Sequence, residues 1–122
     1  MSKANISLLT LTVTAAAALA ANRFVKTAGI YPTAGGLALG VTRCDGGVGD
    51  LVPIDVLGTA VVQAGAAIAL DVPVMVTADG KVIAHDGDGD KHAVGRSLEA
   101  AIDGGLVEIL LVPTAGVLVT AI

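Results

Sequence analysis

The residues of this chain best suited to chemistry cluster in His85-Asp86-Gly87-Asp88-Gly89-Asp90-Lys91-His92, where two imidazoles bracket three carboxylates. Asp86, Asp88 and Asp90 have the alternate spacing of the first three oxygen ligands in an EF-hand calcium loop. The match ends there. The sixth loop position, which needs Gly for its sharp turn, is Lys91, and the twelfth, which needs a bidentate Glu, is Ser97. A solvated hairpin loop is therefore expected rather than a metal site. Zinc would need a third or fourth ligand beside His85 and His92, and Cys44 is the only thiol. For nucleophilic chemistry, Ser97 lies in Gly95-Arg96-Ser97-Leu98, which lacks the Gly-x-Ser-x-Gly elbow. Glu99 and Glu108 are the only glutamates, and nothing sets a carboxylate pair across a cleft. Gly46-Gly47-Val48-Gly49 has no following Lys-Ser/Thr and precedes a strand, so it is not a phosphate loop. The reading is a non-enzyme with no catalytic residues, no cofactor and no metal.

The elements that would carry such residues are aliphatic and small. The chain has 122 residues, of which 54% are hydrophobic and 2% aromatic, with 16 Gly and no Trp. Its mean hydropathy is +0.83. Only 15% of residues are charged, which excludes a disordered tail. A net charge of −4 opposes phosphate binding, and one Phe and one Tyr cannot stack bases, so no nucleic-acid partner is expected. One compact domain with an aliphatic core remains. The apolar supply exceeds what one small core needs, as in chains that assemble. The single Cys44 forms no internal disulfide and fits a reducing cytosolic origin.

Near the start, Lys3 precedes an apolar run from Ile6 to Ala21 that imitates a secretion signal, with Ala18-Leu19-Ala20 as a small-x-small site. The alternation Leu9-Thr10-Leu11-Thr12-Val13-Thr14 instead suits a half-exposed strand, so the segment is expected to be retained. It is too short and too rich in Thr to span a membrane. Strands are expected at Ser7–Thr14, Asn22–Thr27, Leu37–Thr42, Asp50–Leu57, Thr59–Gln63, Pro73–Thr77, Lys81–Ala84, Ala93–Leu98 and Leu106–Val112. Asp79-Gly80 marks a tight hairpin turn. Ala15–Ala21 and Ser97–Ile102 are short helical candidates by propensity.

An internal echo sharpens the fold class. Residues 39–62 and 94–117 align without a gap at an offset of 55. Gly40 matches Gly95, Gly49 matches Gly104, Leu51-Val52 matches Leu106-Val107, and Ile54 matches Ile109. Thr59-Ala60 matches Thr114-Ala115, and Val62 matches Val117. Chance would supply roughly two or three such identities in so biased a composition. Upstream, Thr27-Ala28 matches Thr77-Ala78 at an offset of 50, which puts an insertion near 85–90. The paired glycines are expected to mark equivalent bends. The expectation is a mainly β chain, a small barrel or sandwich of two similar halves. Its parts are an extended N-terminal arm (1–14), a β domain (15–112) and an apolar C-terminal tail (113–122).

Two-halved β architecture also occurs in lipoyl and biotinyl carrier domains, which modify a Lys at a hairpin tip. Lys81 sits beside such a turn but in Asp79-Gly80-Lys81-Val82, without the Met-Lys-Met or Asp-Lys-Ala setting those domains use. The order of elements from Ala15 to Val112 instead resembles the capsid decoration, or cement, proteins of tailed bacteriophages. An Ala-rich opening leads to Arg23-Phe24-Val25-Lys26 and Gly29, followed by Leu37-Ala38-Leu39-Gly40-Val41, Gly49-Asp50-Leu51-Val52-Pro53-Ile54 and Gly58. Gln63-Ala64-Gly65-Ala66-Ala67-Ile68, Ala93-Val94-Gly95-Arg96-Ser97-Leu98-Glu99-Ala100 and Gly104-Gly105-Leu106-Val107-Glu108-Ile109 complete the pattern. The chain departs from it at Val72-Pro73-Val74 and after Pro113.

The resemblance implies a structural virion protein, made in the host bacterial cytoplasm, that sits on the capsid exterior and clamps neighbouring copies of the major capsid protein. It also implies a homo-oligomer, a trimer before a dimer, with no membrane partner. A secreted or cell-surface β structural subunit is the alternative. The arm could add a strand to a partner, and the tail would be an aggregation liability if left bare. Ile6, Leu8, Leu9 and Leu11 in the arm, and Val117, Leu118, Val119 and Ile122 in the tail, are therefore the candidate capsid or intersubunit contacts.

Overall fold

The computed structural model describes residues 6–87 and 91–112. Among the described residues eight strands form in chain order: β1 (Ser7–Thr14), β2 (Phe24–Val25), β3 (Gly40–Thr42), β4 (Leu51–Gln63), β5 (Pro73–Val76), β6 (Val82–Ala84), β7 (Gly95–Ser97) and β8 (Leu106–Leu111). They make one sheet in the order β2-β3-β4-β8-β7-β5-β6, with β1 laid on β4, and it curls into an antiparallel half-barrel. Every strand pair is antiparallel.

Among the described residues there is no helix, so both helical candidates fail. In Ala15–Ala21, high alanine propensity loses to pairing. The Ala15 amide bonds the Asp50 carbonyl at 2.8 Å, and Leu19 and Gly46 exchange amide–carbonyl bonds. In Ser97–Ile102, Ser97 ends β7, and Ala101 makes the corresponding exchange with Ile68.

The strand ladders repeat in parallel with the sequence, at positions beyond the sequence identities. Val13↔Val52, Leu11↔Ile54 and Thr14↔Leu51 in the β1–β4 ladder recur as Val62↔Val107, Ala60↔Ile109 and Gln63↔Leu106 in the β4–β8 ladder. The first member of each pair is shifted by 49 residues and the second by 55. Likewise Val41↔Asp55 and Thr42↔Ile54 recur as Arg96↔Leu110 and Ser97↔Ile109. The long strand β4 thus closes the first unit and opens the second.

Two buried hydroxyls hold equivalent corners. Thr42 Oγ1 donates to the Ala20 carbonyl at 2.7 Å and accepts the Arg23 amide. Ser97 Oγ donates to the Ala69 carbonyl at 2.7 Å and accepts the Val72 amide. The corner residues Asn22 and Asp71 both adopt positive φ, 60° and 62°, where short polar side chains are tolerated best. In the hairpins, Gly29 and Gly80 occupy matching turns 51 residues apart, so the Thr-Ala match at 50 lies one residue out of structural register.

Packing follows the pleat. In β4, Val52, Ile54 and Val56 face inward, as do Val107, Ile109 and Leu111 in β8. The second unit holds the larger core: Ala60, Val62, Ala64, Ile68, Val74, Val76, Val82, Val94, Val107, Ile109 and Leu111, joined by Phe24 and Val41 of the first. The first unit's own cluster is Val13, Ala15, Leu19, Val25, Val52, Ile54 and Val56, with Tyr31 and Leu39 against it. Each fully buried Ile or Phe contributes about 1.5–3 kcal/mol.

Arg23 ties the units together. Its guanidinium bonds Gln63 Oε1 at 2.9 and 3.1 Å and the Asp79 carbonyl at 3.0 Å, while the Phe24 amide bonds the Gly80 carbonyl. In the same hairpin the Thr77 hydroxyl donates to the Asp79 carboxylate and holds its pKa below the usual aspartate value. Burial opposes this as the second-largest effect, and Lys81, 3.7 Å away, and Arg23 add smaller depressions. Because the folded-state pKa is depressed, this contribution is present above the unfolded-state value and is lost as pH falls through the folded one. Thr77→Val is expected to remove part of the stability lost below pH ~4, by at most about 1 kcal/mol for so exposed a group. Thermal melts between pH 3 and 7 test this, and identical pH profiles for both proteins would refute it.

Candidate functional site

The residues of chemical type serve the fold. His85 Nδ1 accepts the Gly87 amide at 2.9 Å, so Nε2 carries the proton and donates to the Lys91 carbonyl at 3.0 Å. Both ring nitrogens are thereby committed to loop geometry. Asp86 pairs with Lys91 at 2.7 Å, while Asp88 and Asp90 lie outside the described residues. Among the described residues no group of three His, Cys, Asp or Glu could hold a metal. A chelator is expected to leave the melting temperature unchanged, and a drop of several degrees with recovery on calcium addition would overturn that reading. Ser97 spends its hydroxyl on the corner, Glu99 accepts the Glu108 amide at 3.0 Å, and Asp50 closes the Gly47 turn at 2.8 Å. Cys44 is exposed and lies in no disulfide. Lys81 leans on Asp79 rather than standing at a hairpin tip.

What remains is an apolar surface. Strand β1 pairs with β4 alone among the described residues, and most of its side chains are exposed. Ile6, Leu8, Leu9 and Leu11 all reach solvent, Leu8 to 71%. The structure brings this arm set together with two residues that sequence reading missed. Leu57 lies opposite Leu9 and Leu51 opposite Thr14, and both are exposed, Leu51 to 72%. The result is an apolar two-stranded ribbon, a feature that marks interaction sites on soluble proteins.

The ribbon is held firmly to the domain. Thr10 Oγ1 bonds Asp55 Oδ1 at 3.1 Å, and the buried Asp55 carboxylate also lies 3.5 Å from Arg43 Nε. Ile6 bonds Thr59 through both its amide and its carbonyl. At Gly58 the ladder shifts register. Its φ is +105°, and a Cβ there would sit 2.1 Å from the Ile6 carbonyl oxygen. The arm is therefore an integral edge strand from Ser7 onward.

A second apolar set, Ile102, Leu106 and Leu70, lies in the second unit. Leu106 is the duplicate of Leu51, and both are exposed. The signal for this was in the sequence, since Leu51 and Leu106 are identical positions of the echo, but identity in a repeat reads equally as core. The tail contacts Val117, Leu118, Val119 and Ile122 lie outside the described residues.

This architecture has known counterparts. Superposition on solved structures matches the base at the N-terminus of the head fibre gp8.5 of bacteriophage phi29, with a TM-score of 0.72 and 23% identity. The match covers 85% of this chain and 93% of that one, and it shows a shared fold. Comparison with curated proteins found no match. The family model described as phage cement protein matches residues 3–112, from the arm through the end of β8. An all-β chain with no assembled catalytic or metal centre among its described residues, an exposed apolar ribbon and that match lead to one conclusion: the chain belongs to the phage cement protein family and is a phage capsid-associated structural protein.

Proposed function

We propose that this protein binds the outside of a phage capsid and stabilises contacts between major capsid subunits. The observation that carries the reading is the ribbon of Ile6, Leu8, Leu9 and Leu11 with Leu51 and Leu57, solvent-exposed and anchored to the domain through Asp55 and Thr59. An apolar ribbon fixed to a rigid sheet binds without ordering a long segment, so little entropy opposes association. Its strand can also offer backbone hydrogen bonds to a partner's sheet edge. The equivalent pair Leu51 and Leu106 gives the domain two related apolar points, which suits a clamp seated across a boundary between like subunits. The protein acts as a homo-oligomer, a trimer before a dimer, and is made in the host cytoplasm before joining the virion.

The test is sedimentation of purified protein with phage heads that lack it, followed by heating of the loaded and bare heads. Near-stoichiometric co-sedimentation with the major capsid protein, together with a higher temperature of head disruption, is expected. Binding with no change in disruption temperature would refute stabilisation. Absence of binding would refute the capsid role.

A further inference from the structure

The two units differ in packing and in charge at one matched place. In the second unit Ala60 and Val94 are sealed in the core. Their duplicates in the first unit, Leu11 and Leu39, line an open groove of about 520 Å³ with Leu37, Val56 and the 26–28 turn. That volume lies within the range of true binding sites. Leu11 belongs both to the groove and to the exposed ribbon, so the two form one continuous apolar surface.

The groove also holds an unpaired cation. Among the described residues Arg43 lies beside Asp55, Lys81 beside Asp79, Lys91 beside Asp86 and Arg96 beside Asp71. Arg23 spends its guanidinium on Gln63 and the Asp79 carbonyl. Lys26, half-buried on the groove wall, is the one described cation whose side chain has neither an ion pair nor a hydrogen bond. The repeat shows why. The Lys26 amide bonds the Ile30 carbonyl and the Gly29 amide bonds the Lys26 carbonyl, just as Thr77 bonds Lys81 and Gly80 bonds Thr77 in the second unit. Ala28 therefore stands where the second turn has Asp79, the carboxylate that pairs with Lys81. A charge left unneutralised beside apolar walls attracts an anion more strongly than the same charge in open water.

We propose that this groove receives a segment of the major capsid protein that carries an aliphatic side chain next to a carboxylate, with Lys26 selecting the carboxylate. The assignment rests on the capsid reading above and names the chemistry of its partner. The aliphatic side chain is buried against Leu11, Leu37, Leu39 and Val56, and the carboxylate accepts a charge-assisted hydrogen bond from Lys26 Nζ. The apolar contact supplies affinity, while the ion pair fixes register and rejects a segment with a basic residue at that place. A second copy in the groove would cover Leu11 and withdraw it from the ribbon, whereas a capsid segment uses groove and ribbon together.

Two experiments decide it, both with the whole chain and phage heads that lack it. In the first, co-sedimentation reads binding and melting curves read folding. Lys26→Met keeps the aliphatic stem and should weaken binding about tenfold, and Lys26→Glu should weaken it about a hundredfold. Lys26→Arg should stay within about threefold of the parent. Ala28→Asp restores the carboxylate of the second unit's turn and should weaken binding about tenfold with Lys26 untouched. Parental affinity in Lys26→Glu and Ala28→Asp would overturn the assignment and leave the capsid reading standing, whereas failure of the parent to bind would overturn both. In the second, carbodiimide treatment of loaded heads joins an amine to a carboxylate with loss of water. A link from Lys26 to an Asp or Glu of the major capsid protein is the expected product. A link from Lys26 to another copy of this chain would assign the groove to self-association and overturn the proposal, as would no link at Lys26.

Discussion

Gly95→Ala is expected to destabilise the protein by about 3 kcal/mol or more, and Gly40→Ala by a similar amount. Neither glycine has a positive φ. Their necessity comes from close approach. A Cβ on Gly95 would lie 2.4 Å from the Leu110 carbonyl oxygen, and one on Gly40 would lie 2.2 Å from the Asp55 carbonyl oxygen. The obstructing atoms are backbone of the paired strand, so relief requires spreading β7 from β8, or β3 from β4. Overpacking in a well-packed core costs about 1–3 kcal/mol before any ladder bond is lost. A domain of this size has about 5–15 kcal/mol in all.

The other duplicated glycines provide the contrast. Gly49 and Gly104 have φ of +89° and +80°, and nothing lies within 4 Å of a Cβ on either. Alanine there should cost only the left-handed backbone penalty, about 1–2 kcal/mol. Urea denaturation of the four variants tests both claims. Equal losses at Gly95 and Gly104 would refute the close-approach explanation.

These glycines also show what the sequence carried and what it hid. Matched positions in the echo read correctly as equivalent sites, yet one pair serves turns and the other serves strand contact, a distinction that only neighbouring atoms make. Expected strands at Asp50–Leu57 and Thr59–Gln63 are one strand, because Gly58 absorbs a register shift without ending the pairing. A glycine between two apolar runs looks the same whether it breaks a strand or bends it.

The first half of the repeat was invisible for another reason. Leu11 and Thr12 occupy the same places as Ala60 and Val61, but β1 is an edge strand and β4 an inner one, so their side chains answer to different surroundings. Alternation in Leu9–Thr14 still identified β1 at its observed bounds, although on its apolar face only Val13 is buried and Leu9 and Leu11 stay exposed. The arm half of the exposed apolar ribbon was legible on those grounds. Leu51 and Leu57 were not, since they alternate within a run whose inward members are equally aliphatic.

Ile6→Asp with Leu8→Asp is expected to abolish head binding while leaving the fold intact. Both side chains are more than half exposed in the isolated chain, so replacing them should change stability by no more than about 0.5 kcal/mol each. The backbone bonds of Ile6 to Thr59 do not involve the replaced atoms. At an interface the balance is different. Each aliphatic side chain buried there contributes about 1.5–3 kcal/mol, and an unpaired carboxylate adds a desolvation cost in place of that gain. Losing two such contacts corresponds to roughly a hundred- to ten-thousand-fold weaker binding. Ile6→Val with Leu8→Met preserves the apolar surface and should bind heads like the parent. Co-sedimentation at several protein concentrations, with melting curves on the same preparations, separates affinity from folding. A folded aspartate variant that still saturates heads at the parental concentration would exclude these two residues from the contact and move it to Leu51, Leu57 or the second unit's Ile102 and Leu106.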